Sequence, residues 1–436
     1  MPGDAAAKAI LVNFADMNLR IFPPDELLQA DVRLPLSKSI SARALILDAL
    51  AGNDKPGFEV AHCDDTAAMC GALADPALEY VNIGAAGTAM RFLTACFAAQ
   101  PGRTVRLDGS ERMRRRPVAP LVDALRCCGA SVDYVGEEGF PPLLIRGSRL
   151  AGGEVSIDST ISSQFISALL MIAPMMQRGL RLTLVGEPAS EPYMAMTLDM
   201  MRRWGASVDR QGAVIEVAPG AYRTPDGFEV EADWSAASYW YEIEALTSGW
   251  LTLRGLDRPA DSLQGDSRCA GLFTGLGVET EPEGENGGID LVASPDVAPR
   301  FVADMADTPD IVQTVAVSCA MLGVPFRLTG VASLRIKETD RIEALRRELL
   351  KVGVIMQTEG DDCIFWESAR RPVTEIPVFD TYDDHRMAMA FAPVAIYIPG
   401  AVVRDAGVVA KSYPGFWDDL RAAGFTVEEF SEETDE

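Results

Sequence analysis

A pattern of apolar and polar positions repeats along the chain: a helix with an apolar face ends at a glycine, and a short β-type run follows. The repeat glycines are Gly129, Gly205, Gly277, Gly353 and Gly424, and they are 76, 72, 76 and 71 residues apart. Glycine is common just past a helix end, where the backbone often turns left-handed. Five such segments at nearly constant spacing predict a structural repeat, with about six units of roughly 70 residues filling the chain.

Each unit is predicted to contain two helices and several short strands. One helix is largely apolar and is expected to be buried, as in 39–51, 88–99, 163–176, 235–246 and 308–321. The other is amphipathic, as in 338–352, where Ile342, Leu345, Leu349 and Val352 form one stripe. Strands are predicted at 105–107, 182–185, 251–253 and 326–328. Interleaved strands and helices predict an α/β or α+β fold.

Length and composition indicate a globular chain of two domains. At 436 residues the chain is too long for one ordinary core, and a short polar strand at 227–232 before the apolar helix at Trp234 predicts a boundary. Hydrophobic residues make up 48% and charged residues 24%. No apolar run reaches the roughly 20 residues of a membrane helix. Residues 1–20 do not resemble a secretory signal, so we expect a cytoplasmic protein. The ends, 1–17 and 428–436, are expected to be solvated extensions.

The charge and the scarcity of metal ligands narrow the class of function. Eight scattered cysteines form no CxxC pair, and the two histidines belong to no metal-ligand spacing, so we expect reduced thiols and no metal site. The formal net charge is −25, and an acidic surface repels nucleic acid and anionic lipid. In so acidic a chain, a local cluster of cations is therefore stronger evidence for an anion-binding site than it would be in a basic protein.

Several short motifs at predicted helix starts could bind anions. Serines flank Lys38 ahead of Arg43 and an apolar helix, where free N–H groups attract anions. A glycine-rich turn at 82–91 would let a ligand approach the backbone. Four arginines occupy five positions in 112–116, which favours an anion partner over a solvated loop. Taken alone, a capped and solvated helix start explains the first motif equally well, and a tight turn explains the second somewhat better. Capping explains the hydroxyl-rich starts at 162–164 and 190–193 nearly as well as ligand binding does.

Two further segments are more specific, because they bring charges of both signs into apolar helices. These are Leu-Arg-Ile-Lys-Glu-Thr-Asp-Arg at 334–341 and Tyr-Asp-Asp-His-Arg-Met-Ala-Met at 382–389. Charges entering a buried helix need each other or a ligand, so the alternatives are a salt-bridge network and a binding site.

In their order along residues 33–420, these motifs resemble the 5-enolpyruvylshikimate-3-phosphate synthase family of enolpyruvyl transferases. The resemblance rests most on Lys-Glu-Thr-Asp-Arg at 337–341 and Asp-His-Arg-Met-Ala-Met at 384–389. It implies a two-domain inverse α/β barrel with three βαβαββ repeats per domain, which matches the sixfold repeat. The implied domains are 1–35 plus 234–436, and an inserted 36–233.

The family transfers the enolpyruvyl group of phosphoenolpyruvate to the 5-hydroxyl of shikimate 3-phosphate, and the resemblance implies the same activity here, without a cofactor and as a monomer. Asp310 is implied as the base for the hydroxyl, Glu338 as the group that protonates and later deprotonates the methylene carbon, and Lys38 as the third catalytic residue. The shikimate 3-phosphate set is Lys38, Ser39, Arg43, Ser162, Ser163, Gln164, Ser190, Tyr193, Asp310, Ser333 and Lys337. The phosphoenolpyruvate set is Lys38, Gly87, Arg116, Gln164, Arg341, Arg386 and Lys411.

Departures from the family pattern leave alternatives open. Ala42, Ala85 and Ser333 replace the usual asparagines, Leu36 replaces glycine and Phe92 replaces proline. A substrate that is another phosphorylated cyclic alcohol therefore stays open. UDP-N-acetylglucosamine enolpyruvyl transferase is disfavoured by Ser39 and by the absence of cysteine in 109–116. From a different class, a non-catalytic anion-binding relative is the alternative. Gly87 implies sensitivity to glyphosate, which competes for the phosphoenolpyruvate site.

Overall fold

The structure, a computed structural model, describes residues 17–282 and 287–431. The helices within these ranges are α1 (Lys38–Leu50), α2 (Asp64–Ala74), α3 (Gly87–Ala98), α4 (Ala119–Cys127), α5 (Ser163–Ile172), α6 (Glu191–Arg203), α7 (Trp234–Thr247), α8 (Cys269–Thr274), α9 (Val312–Leu322), α10 (Arg341–Lys351), α11 (His385–Phe391) and α12 (Phe416–Ala422).

The strands are short, as the sequence predicts. They are β1 (Leu19–Phe22), β2 (Gln29–Arg33), β3 (Tyr80–Asn82), β4 (Thr104–Asp108), β5 (Ser131–Tyr134), β6 (Leu143–Arg146), β7 (Gly153–Asp158), β8 (Leu180–Val185), β9 (Val208–Gln211), β10 (Val214–Val217), β11 (Trp250–Arg254), β12 (Leu276–Pro282), β13 (Ile289–Val297), β14 (Phe301–Asp304), β15 (Phe326–Thr329), β16 (Gln357–Glu359), β17 (Cys363–Trp366), β18 (Val378–Phe379), β19 (Ala401–Val403) and β20 (Thr426–Glu429).

Five four-stranded sheets share one topology within the described part of the chain. Their orders are β3-β4-β6-β5, β7-β8-β10-β9, β2-β11-β13-β12, β14-β15-β17-β16 and β18-β19-β1-β20. In each, the first two strands are parallel and the other pairs are antiparallel. Each sheet with its two helices is a βαβαββ unit, and β1 closes the last unit from the other end of the chain.

The sixth unit keeps its helices, α1 and α2, but its strands do not form a sheet among the described residues. An isolated antiparallel bridge joins Leu36 and Ala232. Pro56 and Gly57 follow α1, and both weaken strand pairing because proline lacks an N–H and glycine is flexible. The predicted sixfold repeat is thus complete in five units and reduced to two helices in the sixth.

Two separate hydrophobic cores organise these units. Buried apolar residues between positions 40 and 230 form one core, around the mutually packed helices α1, α3 and α5. The other core joins residues 19–34 to 232–427, around α7, α9 and α11. These cores support the proposed domains 1–35 plus 234–436 and 36–233, and the boundaries stay a prediction. No helix in the described ranges is long and apolar enough to span a membrane.

Some predicted boundaries were wrong, and two of the shifts matter for the site. The helix predicted from 338 begins at Arg341, because the Asp340 side chain accepts a hydrogen bond from the Glu343 amide and caps it. The helix predicted from 308 begins at Val312, since a residue before Pro309 is disfavoured in a helix. The expected C-terminal extension begins later than 428, because Glu428 and Glu429 belong to β20. Residues 1–16 and 432–436 lie outside the described residues.

Candidate active site

A cavity of about 970 Å³, including the open solvent at its mouth, lies between the two cores. It is lined by most of the residues that the sequence assigned to the two ligands. These are Lys38, Ser39, Arg43, Gly87, Arg116, Ser162, Ser163, Gln164, Ser190, Tyr193, Asp310, Ser333, Lys337, Glu338, Arg341 and Arg386. Lys411 lines a smaller neighbouring cavity of about 470 Å³, which shares Arg116 and Glu338 with the first.

The starts of four helices of the inserted segment lie at this cavity. Ser37 caps α1 by accepting a hydrogen bond from the Ile40 amide, and Ser162 caps α5 in the same way from the Gln164 amide. The helix α3 begins at Gly87, and α6 follows Ser190. Because helix starts carry free N–H groups and a partial positive charge, they favour anionic ligands.

The charge of the lining is positive although the chain is acidic. Seven cationic side chains face three carboxylates, those of Asp65, Asp310 and Glu338. The cations are Lys38, Arg43, Arg91, Arg116, Lys337, Arg341 and Arg386. In a chain of net charge −25, such an excess indicates a site for anions.

Arg341 connects the acidic groups on one side of the cavity. Its side chain is 1% exposed, and it donates hydrogen bonds to Asp384 (2.6 Å), Glu338 (2.8 Å) and Asp310 (3.1 Å). Burial alone would lower the pKa of Arg341, but these carboxylates raise it above its ordinary value. Asp384 also accepts a hydrogen bond from the Arg386 amide and so caps α11. The local structure therefore fixes Arg341 as a permanent cation.

The Asp310 carboxylate is surrounded by donors. Arg386 Nη2 lies 2.9 Å from it, the Tyr193 hydroxyl donates to it at 3.0 Å, and Lys337 Nζ is 3.6 Å away. Burial would raise the pKa of Asp310, but Arg386, Lys337 and Arg341 outweigh this and hold the pKa well below its usual range. Asp310 is therefore ionised in the empty site.

Glu338 has a different set of partners. Arg341 Nη2 is 2.8 Å from its carboxylate and Arg116 Nη1 is 3.7 Å away, from the other core. Burial would raise the pKa of Glu338, but Arg341 and Arg116 hold it well below its usual range. The neighbouring His385 is buried, and burial together with Lys38 and Arg386 lowers its pKa well below the ordinary value. His385 is thus a neutral member of the site.

Arg116 is packed against the backbone of Gly87. A Cβ atom at Gly87 would lie 2.5 Å from Arg116 Nη1. The Arg116 side chain is buried, and its Nε and Nη1 atoms form no hydrogen bond with the described residues. Glu338 is 3.7 Å from Nη1, beyond hydrogen-bond distance, and buried donors without a hydrogen bond are costly, so this guanidinium is suited to an anionic ligand.

The sequence assigned no role to several residues that line the cavity. Asp65, at the start of α2, lies 3.3 Å from Lys38 Nζ. Thr88 accepts a hydrogen bond from Gln164 Nε2 at 3.2 Å. Arg91 and His385 lie inside the motifs described above, so the sequence contained a signal that could have identified them. Asp65 had no such signal, since an acidic pair at a helix start is ordinary capping.

Comparison with known proteins identifies the family of this chain. A sequence profile of the family described as EPSP synthase (3-phosphoshikimate 1-carboxyvinyltransferase) matches residues 74–420. The 3-phosphoshikimate 1-carboxyvinyltransferase of Bacteroides fragilis is 49% identical over 402 residues, covering 92% of this chain and 96% of that protein. A protein of the same name from Methanospirillum hungatei is 36% identical, covering 89% and 94%. The structure of EPSP synthase from Acinetobacter baumannii has the same fold, with a TM-score of 0.74 at 21% identity over 95% of this chain and 100% of that one. This chain therefore belongs to the EPSP synthase (3-phosphoshikimate 1-carboxyvinyltransferase) family.

Proposed function

We propose that this protein transfers the enolpyruvyl group of phosphoenolpyruvate to the 5-hydroxyl of shikimate 3-phosphate, releasing phosphate, in the shikimate pathway towards chorismate and the aromatic amino acids. The observation that carries the proposal is the pair Asp310 and Glu338, two ionised carboxylates inside a ring of cations. A protein that only bound anions would gain nothing from carboxylates beside its ligand, since like charges repel.

The cations are divided between two anionic substrates in this proposal. Shikimate 3-phosphate is held by the set around Arg43, Tyr193 and the starts of α1, α5 and α6. Phosphoenolpyruvate is held by Gly87, Arg116, Arg341, Arg386 and Lys411, with Lys38 and Gln164 shared. Each close ion pair contributes up to about 4 kcal/mol at an effective dielectric constant of about 20.

The chemistry proceeds by addition and elimination. Asp310 accepts the proton of the 5-hydroxyl, and the oxygen bonds to C2 of phosphoenolpyruvate while Glu338 delivers a proton to the methylene carbon. Glu338 then removes a proton from the resulting methyl group, the double bond re-forms and phosphate leaves. Two carboxylates in different surroundings can divide an acid role and a base role in this way.

Ligand binding allows Glu338 to take up from solvent the proton that it later delivers. In the empty site Arg341 and Arg116 hold the pKa of Glu338 low, so it is ionised. The phosphate and carboxylate of phosphoenolpyruvate would neutralise these cations and raise the pKa of Glu338, which makes it able to act as an acid. Protonation of Glu338 is thereby coupled to the arrival of the second substrate.

The experiment is a phosphate-release assay with both substrates, comparing the wild type with Glu338→Gln and Glu343→Gln. Glu343 lies five positions further along, in the first turn of α10, but pairs with Arg346 and Arg347 outside the cavity, so it is the matched control. We expect Glu338→Gln to lose at least about 100-fold in kcat while still binding shikimate 3-phosphate, and Glu343→Gln to stay near wild type. A wild type that releases no phosphate, or a fully active Glu338→Gln variant, would contradict the proposal.

The substrate alternative rests on Ser333, which lines the cavity where the family has asparagine. A shorter side chain leaves space beside the ring-binding residues, so another phosphorylated cyclic alcohol could fit. Comparing kcat/KM for shikimate 3-phosphate with that for other phosphorylated cyclic alcohols distinguishes these substrates. The highest value is expected for shikimate 3-phosphate.

We also propose glyphosate inhibition at the phosphoenolpyruvate site, since Gly87 has no side chain that would displace Arg116 from that site. An inhibition constant far above that of ordinary family members would contradict it. We propose that the protein acts as a monomer. We propose the cytoplasm as its location. Sedimentation and cell fractionation test these two statements.

A further inference from the structure

The arginine-rich loop contains two side chains that reach across to the other core, Arg116, which pairs with the Glu338 carboxylate, and Arg112. Arg114 pairs with Asp108 at two distances of 2.8 Å, and Arg115 pairs with Glu111, so both have partners within their own unit. Arg112 instead donates from Nε to the Glu338 carbonyl oxygen at 2.8 Å and from Nη2 to the Lys337 carbonyl oxygen at 3.1 Å. Its partners are 226 and 225 positions away in the sequence.

The segment that Arg112 holds has little regular structure of its own. It lies between the 3-10 turn Ala332–Ile336 and the start of α10 at Arg341, and Lys337 is extended. A backbone outside a helix has more freedom than one within it, so an external contact has a large effect there. The planar guanidinium fork can bind two successive carbonyls at once, which restricts both position and direction.

We propose that Arg112 is a positioning residue that holds the Lys337–Glu338 segment across the boundary between the two cores and so directs the Glu338 carboxylate at the substrate. The inference rests on the proposed function of Glu338. Arg112 also lines the smaller cavity beside Glu338 and Arg116, so its side chain forms part of the wall next to the reacting groups.

The expected consequence is kinetic. Proton transfer requires the carboxylate at hydrogen-bond distance from the methylene carbon, and a displacement of about 1 Å can cost roughly 100-fold in rate. Shikimate 3-phosphate should keep most of its affinity, since its other binding residues, such as Arg43 and Tyr193, lie outside the segment. Loss of Arg112 should therefore lower kcat much more than it weakens this ligand.

The test compares Arg112→Ala with Arg115→Ala in the full-length protein. Arg115 is in the same loop with the same charge, but it is mostly exposed and pairs with Glu111 alone among the described residues, so it controls for the loss of a cation. Arg112→Lys keeps the charge and one donor group. The readouts are kcat, the Kd of shikimate 3-phosphate, and hydrogen exchange of residues 332–341, with and without shikimate 3-phosphate.

We expect Arg112→Ala to lose about 10- to 100-fold in kcat with little change in Kd, and to exchange faster at 332–341. Arg112→Lys should recover part of both, and Arg115→Ala should match the wild type. Equal kcat in the two alanine variants would overturn the positioning role, whether both match the wild type or both are reduced. An inactive wild type would instead contradict the proposed function; unchanged exchange in Arg112→Ala would then still refute the contact.

Discussion

At the scale of single residues, the contact between Arg116 and Gly87 leaves no room for a side chain. The nearest atoms to a Cβ at Gly87 are Nη1, Cζ and Nη2 of Arg116, at 2.5, 2.8 and 2.8 Å. We expect Gly87→Ala to displace the guanidinium and raise the KM for phosphoenolpyruvate about 10-fold or more, because Arg116 is a proposed ligand of that substrate. Steady-state kinetics measure this, with the Kd of shikimate 3-phosphate nearly unchanged.

Gly71→Ala is the matched control for that substitution. Gly71 lies in α2 with nothing within 4 Å of its Cβ position, so alanine should be tolerated there. An unchanged KM in Gly87→Ala would show that Arg116 moves aside without cost, or that it does not hold this substrate.

Asp65 determines how basic Lys38 is. Burial lowers the pKa of Lys38, but Asp65, with smaller contributions from Cys63 and Glu338, outweighs it, and the pKa lies above its ordinary value. In Asp65→Asn the pKa of Lys38 should fall, so Lys38 should lose its charge at a lower pH and release its anionic ligands earlier. The alkaline limb of the kcat/KM profile should therefore shift to lower pH, and it should stay in place in Asp54→Asn, a change on the exposed turn after α1. An alkaline limb that does not move in Asp65→Asn would show that Asp65 does not control the charge of Lys38.

The sequence predicted the charged residues of the site far better than their neighbours. Lys337, Glu338 and Arg341 belong to a motif whose composition demands a ligand or a salt-bridge network, and the structure contains both the network and the cavity. The ion pair of Asp65 with Lys38 depends on how α2 packs against α1. That contact between separate helices leaves no trace in local composition.

At the scale of elements, the start of α10 sets the geometry of Glu338 and Arg341. The Asp340 side chain accepts a hydrogen bond from the Glu343 amide at 3.1 Å, and it also lies 3.2 Å from Arg335. We expect Asp340→Ala to lower the free energy of unfolding by about 1 kcal/mol and Asp340→Asn by much less, because asparagine caps a helix equally well. Denaturant titration measures both. Equal losses in the two variants would assign the effect to the partly exposed ion pair with Arg335 instead.

The buried helix α7 carries a carboxyl group that the proposed reaction does not use. Glu242 is fully buried, and neither oxygen has a hydrogen-bond partner among the described residues. Burial raises the pKa of Glu242 well above its ordinary value. Above a pH of about 4.3 the unfolded chain releases this proton while the folded chain retains it, so the group makes the folded state less stable as pH rises.

Glu242→Gln removes this proton and therefore this pH dependence. The free energy of unfolding of the variant, relative to the wild type, should increase as the pH rises above about 5, by up to about 1.4 kcal/mol per pH unit. The buried amide of glutamine changes the free energy of unfolding by the same amount at every pH, so it leaves the slope unchanged. Urea titrations at three pH values measure it, and parallel curves for the two proteins would show that Glu242 ionises normally in the folded state.

The glycine spacing predicted the repeated elements because each unit must turn the chain at the same place. It did not predict the missing sheet of the sixth unit, since Pro56 and Gly57 interrupt strand pairing there while the helices α1 and α2 keep their pattern. Nor did it predict the start of α10, where amphipathic spacing continues through the loop that carries Glu338. A hydrophobic period indicates which face is buried, and the capping hydrogen bond decides where the helix begins.

At the scale of the whole molecule, electrostatics opposes bringing the two cores together around an empty site. Seven cations from both cores line one cavity with three carboxylates. The described contacts across the cavity include Arg112 with the carbonyls of Lys337 and Glu338, and the ion pair of Arg116 with Glu338. Because like charges repel, we expect the free chain in solution to populate more open arrangements than this one.

Shikimate 3-phosphate should therefore make the molecule more compact. Its phosphate neutralises cations of both cores, since Lys38 and Arg43 belong to one and Lys337 to the other. We expect the radius of gyration from small-angle X-ray scattering to fall at saturating shikimate 3-phosphate. Shikimate is the matched control, since it keeps the ring but lacks the phosphate, and it should produce little contraction. No contraction with shikimate 3-phosphate would mean that the cations tolerate one another in the closed form, so that closure would not depend on the substrate's charge.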